Sequence, residues 1–208
     1  MLRYRSSLGG GDNLELDLNY MFRIPLWPII RMDSRKLGTY QTKDFPIVDI
    51  YKLIAGKLAA PFSRRASRDL FDVHLLMTQN TWDVDRLRLG FVLYGAMNCK
   101  DWRSVSLQDV DFDLQELERT LLPVLGTETL EKIENVSLWA TRIVEECREA
   151  LTVLLPFTEA EREFLDRLLD RGEIKPELLT SDAELQERIN RHPLLEWKVV
   201  NVRKRVKS

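Results

Sequence analysis

Residues 49–77, with the sequence DIYKLIAGKLAAPFSRRASRDLFDVHLLM, constrain the fold more than any other segment of the chain. They combine two helical patterns with a short basic loop between them. A helix over residues 48–60 has an apolar stripe at three- and four-residue spacing, formed by Ile50, Leu53, Ile54 and Leu58. Lys57 emerges within or beside this stripe, where a core helix would carry a leucine. Because an unpaired buried charge is unstable, its ammonium must extend to solvent, pair with a carboxylate or face a ligand.

The overall composition excludes several classes of protein. The chain has 208 residues, a net charge of −2 and 31% charged residues of both signs. This balance argues against a disordered chain and gives no overall case for a nucleic-acid binder. We expect no membrane segment, because the sequence has no long apolar run and no signal-peptide core at its start. Cys99 and Cys147 lack metal or redox spacing, which indicates two reduced thiols and a cytoplasmic protein.

Residues 13–48 have the pattern of extended structure. Three leucines alternate with polar residues in the segment NLELDLNYMF, which predicts a half-buried strand over residues 14–20. Its polar face carries Glu15 and Asp17, two carboxylates that suit a divalent cation, although an exposed sheet face is also normally polar. A proline-containing connection follows, and a second strand is expected near residues 36–42.

From residue 48 onward the pattern is helical. Ser67 is expected to cap a helix that reaches about residue 77, and further helices are expected over residues 83–97 and 127–155. Pro156 ends the last of these.

Two capping-box patterns mark later helix starts. Thr158 with Glu161 opens a helix that ends near Gly172, and Ser181-Asp-Ala-Glu184 opens another. A final helix follows His192-Pro193. We therefore predict an α+β fold, with an α+β part over residues 1–80 and an all-helical domain over residues 81–208.

Three charged residues lie in the first two turns of the helix after the basic loop. Asp69 near the helix start and an Arg68–Asp72 pair at i,i+4 spacing would explain all three through helix stability alone. Asp69 and Asp72 also share a face close to Arg64 and Arg65, which leaves a binding site as the alternative. His74 is predicted to lie on the packed side of the same helix, as a core histidine.

The block VDIYKLIAGKLAAPFSRRASRDLFDVHLLM resembles the AbiEii/AbiGii-type nucleotidyltransferase family, whose members are often toxins of bacterial toxin–antitoxin or phage-defence pairs. Lys57 stands at the family's lysine, Arg68-Asp69 at its Arg-Asp pair and Asp72 at its second aspartate. Upstream, LELDLNYMFRIPL is similar to the family's strand that carries a third carboxylate. Segments from Leu154 onward are similar to its C-terminal helices, so the resemblance covers nearly all of the chain.

The resemblance implies part of a nucleotidyltransferase-fold mixed sheet with helices over residues 1–80, followed by a helical bundle over residues 81–208. It implies catalytic roles for Asp17, Lys57 and Asp72, a Mg²⁺-ligand role for Asp17, and substrate-binding roles for Arg23, Arg68 and Asp69. The implied reaction transfers a nucleotidyl group from an NTP to a hydroxyl of an RNA such as tRNA, or of a protein. The implied partner is an antitoxin.

One departure from the family changes the expected activity. The family carries a Gly-Ser or Gly-Gly turn and, about ten residues later, an Asp-x-Asp strand that holds phosphates and Mg²⁺. Here Gly9-Gly10 precedes Glu15 too closely to form that pair of motifs. We therefore expect a member that begins after the first catalytic motif and is inactive, or nearly so, alone.

Two other functional readings stay open at this point. The first is a non-catalytic helical interaction module, or remnant, that binds an antitoxin-like partner. The second is an unrelated helical nucleic-acid-binding protein, which would need a continuous basic surface and salt-dependent binding.

Overall fold

The computed structural model of the protein describes residues 2–5, 9–16, 18–98 and 100–206. The described part contains four short strands: β1 Leu2–Arg5, β2 Gly11–Leu14, β3 Ile30–Met32 and β4 Phe45–Ile47. The helices of the N-terminal half are α1 Ile50–Ser63, α2 Ser67–Thr78 and α3 Val84–Ala96. They are followed by α4 Leu114–Glu116, α5 Thr127–Leu130, α6 Val136–Ala150, α7 Glu159–Asp166, α8 Ala183–Asn190 and α9 Pro193–Val206. The predicted α+β class is confirmed.

The strands form two separate two-stranded antiparallel sheets. β1 pairs with β2, with Leu2 opposite Leu14, and β3 pairs with β4, with Ile30 opposite Ile47. Most of these strand residues are exposed. The sheets therefore lie outside the main core.

The strand predicted over residues 14–20 is wrong beyond Leu14. The described residues that follow are irregular and lead into a 3₁₀ turn at Tyr20–Phe22. Leu14, Leu16 and Leu18 are all exposed, so no apolar layer covers one face, which is the condition under which alternation produces a half-buried strand. Asp17 lies outside the described residues.

The second strand predicted near residues 36–42 is also wrong. That segment is a turn closed by the pair Leu37–Tyr40, with Gly38 in the left-handed region at a φ of 58°. The strands flank it as β3 and β4, because a turn of this kind reverses the chain between them.

Helix α1 begins where Asp49 accepts a hydrogen bond from the Tyr51 N–H at 2.8 Å. Its predicted apolar stripe is only partly correct. Ile54 and Leu58 are buried, whereas Ile50 and Leu53 are exposed. The buried face is turned toward Ala55, Ala59 and Phe62 instead, because α1 packs against both α2 and α3.

Helices from both sides of residue 80 share one hydrophobic core. α1 packs on α3, and α2 packs on α6, so that Leu58, Leu70, Phe91 and Ile143 belong to the same buried cluster. The domain boundary at residue 80 stays a prediction. Within the described ranges, no helix combines the length and the apolar content that crossing a membrane requires.

The later helix starts are partly as predicted. Thr158 and Glu161 form the expected capping box, and Gly172 follows the helical segment with a φ of 63°. At the second predicted box the N-cap is Asp182 and not Ser181. The single helix expected over residues 127–155 is interrupted between α5 and α6, where the Asn135 side chain accepts from the Leu138 N–H and starts a new helix.

Candidate functional site

The α1–α2 hairpin brings together three of the predicted site residues. Lys57 lies on α1, and Asp69 and Asp72 lie one turn apart on α2. The short loop at residues 64–66 reverses the chain, so these charged side chains meet across the two helices. The two ion pairs that result are Lys57–Asp72 and Arg64–Asp69.

The Lys57–Asp72 pair is open to solvent. The Lys57 ammonium donates to Asp72 Oδ2, and the two side chains are 51% and 41% exposed. Lys57 therefore takes the second of the three outcomes that its sequence position allowed, which is pairing with a carboxylate. An ion pair this exposed contributes at most about 1 kcal/mol to stability, so the fold does not depend on it.

The Arg64–Asp69 pair is more deeply set on one side. Arg64 Nε lies 2.7 Å from Asp69 Oδ2 and Nη2 lies 3.1 Å from Oδ1, which is a bidentate arrangement. Asp69 is 8% exposed, whereas Arg64 is 72% exposed. The hydrogen bond that Arg64 donates to Asp69, together with the charge of that carboxylate, raises the pKa of Arg64. Asp69 thus fixes the direction in which the Arg64 guanidinium extends.

Arg68 turns away from this cluster. Its Nε donates to the Thr120 carbonyl at 3.0 Å, and the predicted Arg68–Asp72 ion pair is not formed. Asp72 is instead taken by Lys57 from the neighbouring helix. Arg68 therefore joins α2 to the π-helical turn Leu117–Leu121, which follows α4.

The start of α2 is capped from a distant part of the chain. Ala66, and not Ser67, occupies the N-cap position. The Glu116 carboxylate accepts from the Ser67 N–H at 2.9 Å and also from the Ser67 and Thr120 hydroxyls. Burial opposes ionisation of Glu116, but these hydrogen bonds outweigh it and lower its pKa. Glu116 was missed by sequence reasoning because it lies 49 residues from Ser67.

Of the remaining two predicted residues, the structure describes Arg23. Arg23 follows the 3₁₀ turn, and its Nη1 donates to the Tyr20 carbonyl at 3.1 Å. Its charge acts on His192. The pKa of His192 is lowered to about 4 by burial and by the positive charges of Lys52 and Arg23. Arg23 takes no part in the ion pairs of the hairpin, and Asp17 is outside the described residues.

The described residues do not by themselves form a magnesium site. Among them, no group of three or more His, Cys, Asp or Glu side chains is arranged to hold a metal ion. Asp69 and Asp72 are each bound to a cation of the hairpin. The hairpin presents two solvent-exposed positive groups, Lys57 and Arg64, and each is held in position by a carboxylate.

Comparison with known proteins gives one match. A family model described as "Nucleotidyl transferase AbiEii toxin, Type IV TA system" matches residues 1–143, which include the whole α1–α2 hairpin. No curated protein and no solved structure matches the chain.

Proposed function

The chain belongs to the AbiEii family of nucleotidyl transferase toxins, and we propose that its α1–α2 hairpin is the phosphate-binding part of a nucleotidyltransferase site. The observation that carries this proposal is the exposed Lys57–Asp72 pair, at the position of the family's lysine and second aspartate. Lys57 is held in place by Asp72 yet stays accessible to a ligand. Arg64, fixed by Asp69, adds a second cation to the same hairpin.

In the proposed reaction, a hydroxyl oxygen of the acceptor attacks the α-phosphorus of an NTP. A new O–P bond forms, the bond from the α-phosphorus to the bridging oxygen breaks, pyrophosphate leaves with that oxygen, and the hydroxyl proton passes to solvent. Lys57 would offset negative charge on the phosphates, and Asp72 would keep its ammonium directed at them. Mg²⁺ belongs to the proposal, with Asp17 as the ligand that the resemblance implies. The acceptor is a hydroxyl of an RNA, such as tRNA, or of a protein, in the cytoplasm.

The sequence of 208 residues contains no Gly-Ser turn followed by Asp-x-Asp. For that reason we expect this chain alone to bind an NTP but to transfer little of it. Binding is therefore the primary measurement, and transfer of label from an α-labelled NTP to total RNA is the second.

The test compares two lysine-to-methionine variants of the full chain. Lys57→Met removes the ammonium and keeps most of the side-chain length. Lys100→Met makes the same change at a lysine that pairs with Asp109 at 3.4 Å, outside the hairpin. We expect NTP affinity to fall about tenfold in the first variant and to stay unchanged in the second. Equal affinities in the two variants would contradict the proposal.

A second candidate function is supported by the N-terminal surface. Large apolar side chains are exposed on β2, on the segment after it and on the second sheet, including Leu14, Leu16, Leu18, Met32 and Phe45. Exposed apolar groups in such number are typical of a surface that binds another protein. This observation favours the interaction module that binds an antitoxin-like partner, and NTP binding that is insensitive to Lys57→Met would favour it further.

A further inference from the structure

A positively charged cavity lies on a side of α1 away from Lys57. Its volume is about 300 Å³, and α1 lines it with Lys52, Gly56, Ala60 and Ser63. Lys57 does not line it, because five residues of helix place Lys57 about 140° away from Lys52 around the axis. The cavity is therefore distinct from the Lys57–Asp72 pair.

Lys52 is a cation that no carboxylate of the described residues neutralises. Its Nζ lies 4.8 Å from the centroid of the Phe22 ring and 5.9 Å from that of the Tyr94 ring, so it faces two aromatic rings. Burial lowers the pKa of Lys52. A half-buried ammonium of this kind gains most from an anion that enters the cavity.

Arg64 supplies a second cation at the other end of the same cavity. Its Nε and Nη2 donate hydrogen bonds to Asp69, which leaves Nη1 directed away from that carboxylate. Lys52 lies in the first turn of α1 and Arg64 directly follows its last residue, so at 1.5 Å per residue their Cα atoms are about 18 Å apart. None of the described residues that line the cavity is acidic. An extended ligand with several negative charges fits this spacing better than a single phosphate does.

Asn98 joins this cavity to a groove of about 390 Å³ along α9. Trp197 and Arg205 line the groove, and Trp197 is 54% exposed. Lys198 lines it as well and donates to the Asn98 carbonyl at 2.6 Å. The junction at Asn98 therefore connects the exposed Trp197 ring of the groove to the cavity lined by Lys52 and Arg64.

We propose that the cavity and the groove together bind a short segment of single-stranded RNA. Backbone phosphates would lie near Lys52 and Arg64, and one base would stack on the Trp197 ring, the combination by which proteins hold single strands without reading their sequence. The role of this groove as the entry site of the acceptor rests on the proposed function. RNA binding itself requires no transfer and is measured without it.

The experiment measures binding of a labelled single-stranded octanucleotide by fluorescence anisotropy, at a low salt concentration of about 50 mM. Lys52→Met and Trp197→Leu test the two parts of the groove. Lys100→Met is the control with the same loss of charge, and Lys57→Met tests independence from the Lys57–Asp72 pair. We expect affinity to fall about fivefold or more in the first two variants and less than about twofold in the last two.

Stability measurements separate a binding role from a structural one. Lys52→Met removes a half-buried cation without a carboxylate partner, so we expect a melting temperature at least as high as that of the wild type. Lys52→Arg keeps the charge and should keep RNA affinity within about twofold. Loss of binding in Lys52→Met with retained stability and rescue by Lys52→Arg supports the groove.

Three results would overturn it: no RNA binding by the wild type at low salt, equal losses in Lys52→Met and Lys100→Met, or equal affinity for a duplex of the same length. Equal NTP affinity in Lys57→Met and Lys100→Met, with RNA binding intact, would count against the hairpin proposal alone. RNA binding that fails in these ways removes the groove, whatever the transfer assay gives.

Discussion

Two glycines within helices have opposite surroundings. A Cβ added at Gly95 on α3 would lie 1.8 Å from Trp102 Cε2, and the fully buried Trp102 indole also packs against Phe62 and Phe91. A Cβ at Gly56 on α1 would meet no atom within 4 Å. The same residue type therefore serves close packing at one position and has no packing role at the other.

We predict that Gly95→Ala destabilises the fold by about 3 kcal/mol, because the indole has no free space to move into. Gly56→Ala should stabilise it by about 0.5–1 kcal/mol, through the lower backbone entropy of alanine in the unfolded chain. Urea unfolding of both variants measures the two changes. If the variants had equal midpoints, the close approach of Gly95 to Trp102 would not be a feature of the protein in solution.

His192 makes stability depend on pH. It is fully buried, its Nδ1 accepts from the Leu194 N–H at 3.3 Å, and its ring contacts those of Phe22 and Tyr94 edge-on. Burial, Lys52 and Arg23 lower its pKa to about 4, from 6.5 in the unfolded chain. Between these values the unfolded chain binds a proton that the folded chain does not, so stability is full above pH 6.5 and falls as the pH drops toward 4.

From pH 7 to pH 5 this one group should account for a loss of about 2 kcal/mol in the free energy of unfolding. His192→Phe keeps an aromatic ring and removes the titration. We expect its unfolding free energy to change less between the two pH values, by about that amount. The check is urea unfolding of the wild type and the variant at both pH values. Parallel pH dependences would contradict it.

The site residues differ in how far sequence could place them. Lys57 was identified because a lysine in an apolar stripe needs an explanation, and pairing with a carboxylate was one of three outcomes that electrostatics allowed. The Arg68–Asp72 pair was wrong because helical spacing takes no account of competitors from other elements. Lys57 reaches Asp72 across the hairpin, and the Thr120 carbonyl takes Arg68.

At the scale of elements, α2 depends on a residue outside its own sequence. Glu116 accepts hydrogen bonds from the Ser67 N–H and from two hydroxyls, and thereby satisfies a backbone donor at the helix start. We predict that Glu116→Ala destabilises the fold by about 2 kcal/mol, the loss of a cap plus an unsatisfied buried donor. Glu118→Ala, at an exposed position two residues later, is the control and should change stability by less than about 0.5 kcal/mol. Thermal unfolding of both variants decides, and equal losses would contradict the capping role.

The helices were predicted better than the strands for a physical reason. Helix hydrogen bonds are local, so periodicity and caps such as Thr158 with Glu161 determine much of each helix. The interruption before α6 was missed because Asn135 competes with helix continuation only through a local side-chain bond to Leu138. Strand pairing needs a partner and a covering layer, neither of which the alternation of Leu14, Leu16 and Leu18 specifies.

At the scale of the whole molecule, burial is unevenly distributed between the helices and the N-terminal strands. The helices share one core, whereas β1 and β2 consist of exposed residues and pair mainly with each other. An isolated two-stranded hairpin is only marginally stable in water. The hairpin should therefore open without unfolding of the helical core.

Hydrogen exchange on the isolated chain tests this difference. We predict that amides of the paired residues in Leu2–Arg5 and Gly11–Leu14 exchange with an opening free energy below about 2 kcal/mol, while amides in the middle of α3 and α6 require opening close to global unfolding. The contrast follows from burial, because Phe91 and Ile143 lie in the core and both β strands are exposed. Protection of β1 and β2 equal to that of α3 would require an apolar cover over Leu2 and Leu14 in solution. Since the chain's own core does not provide one, that outcome would point to association through the N-terminal surface and strengthen the interaction-module function.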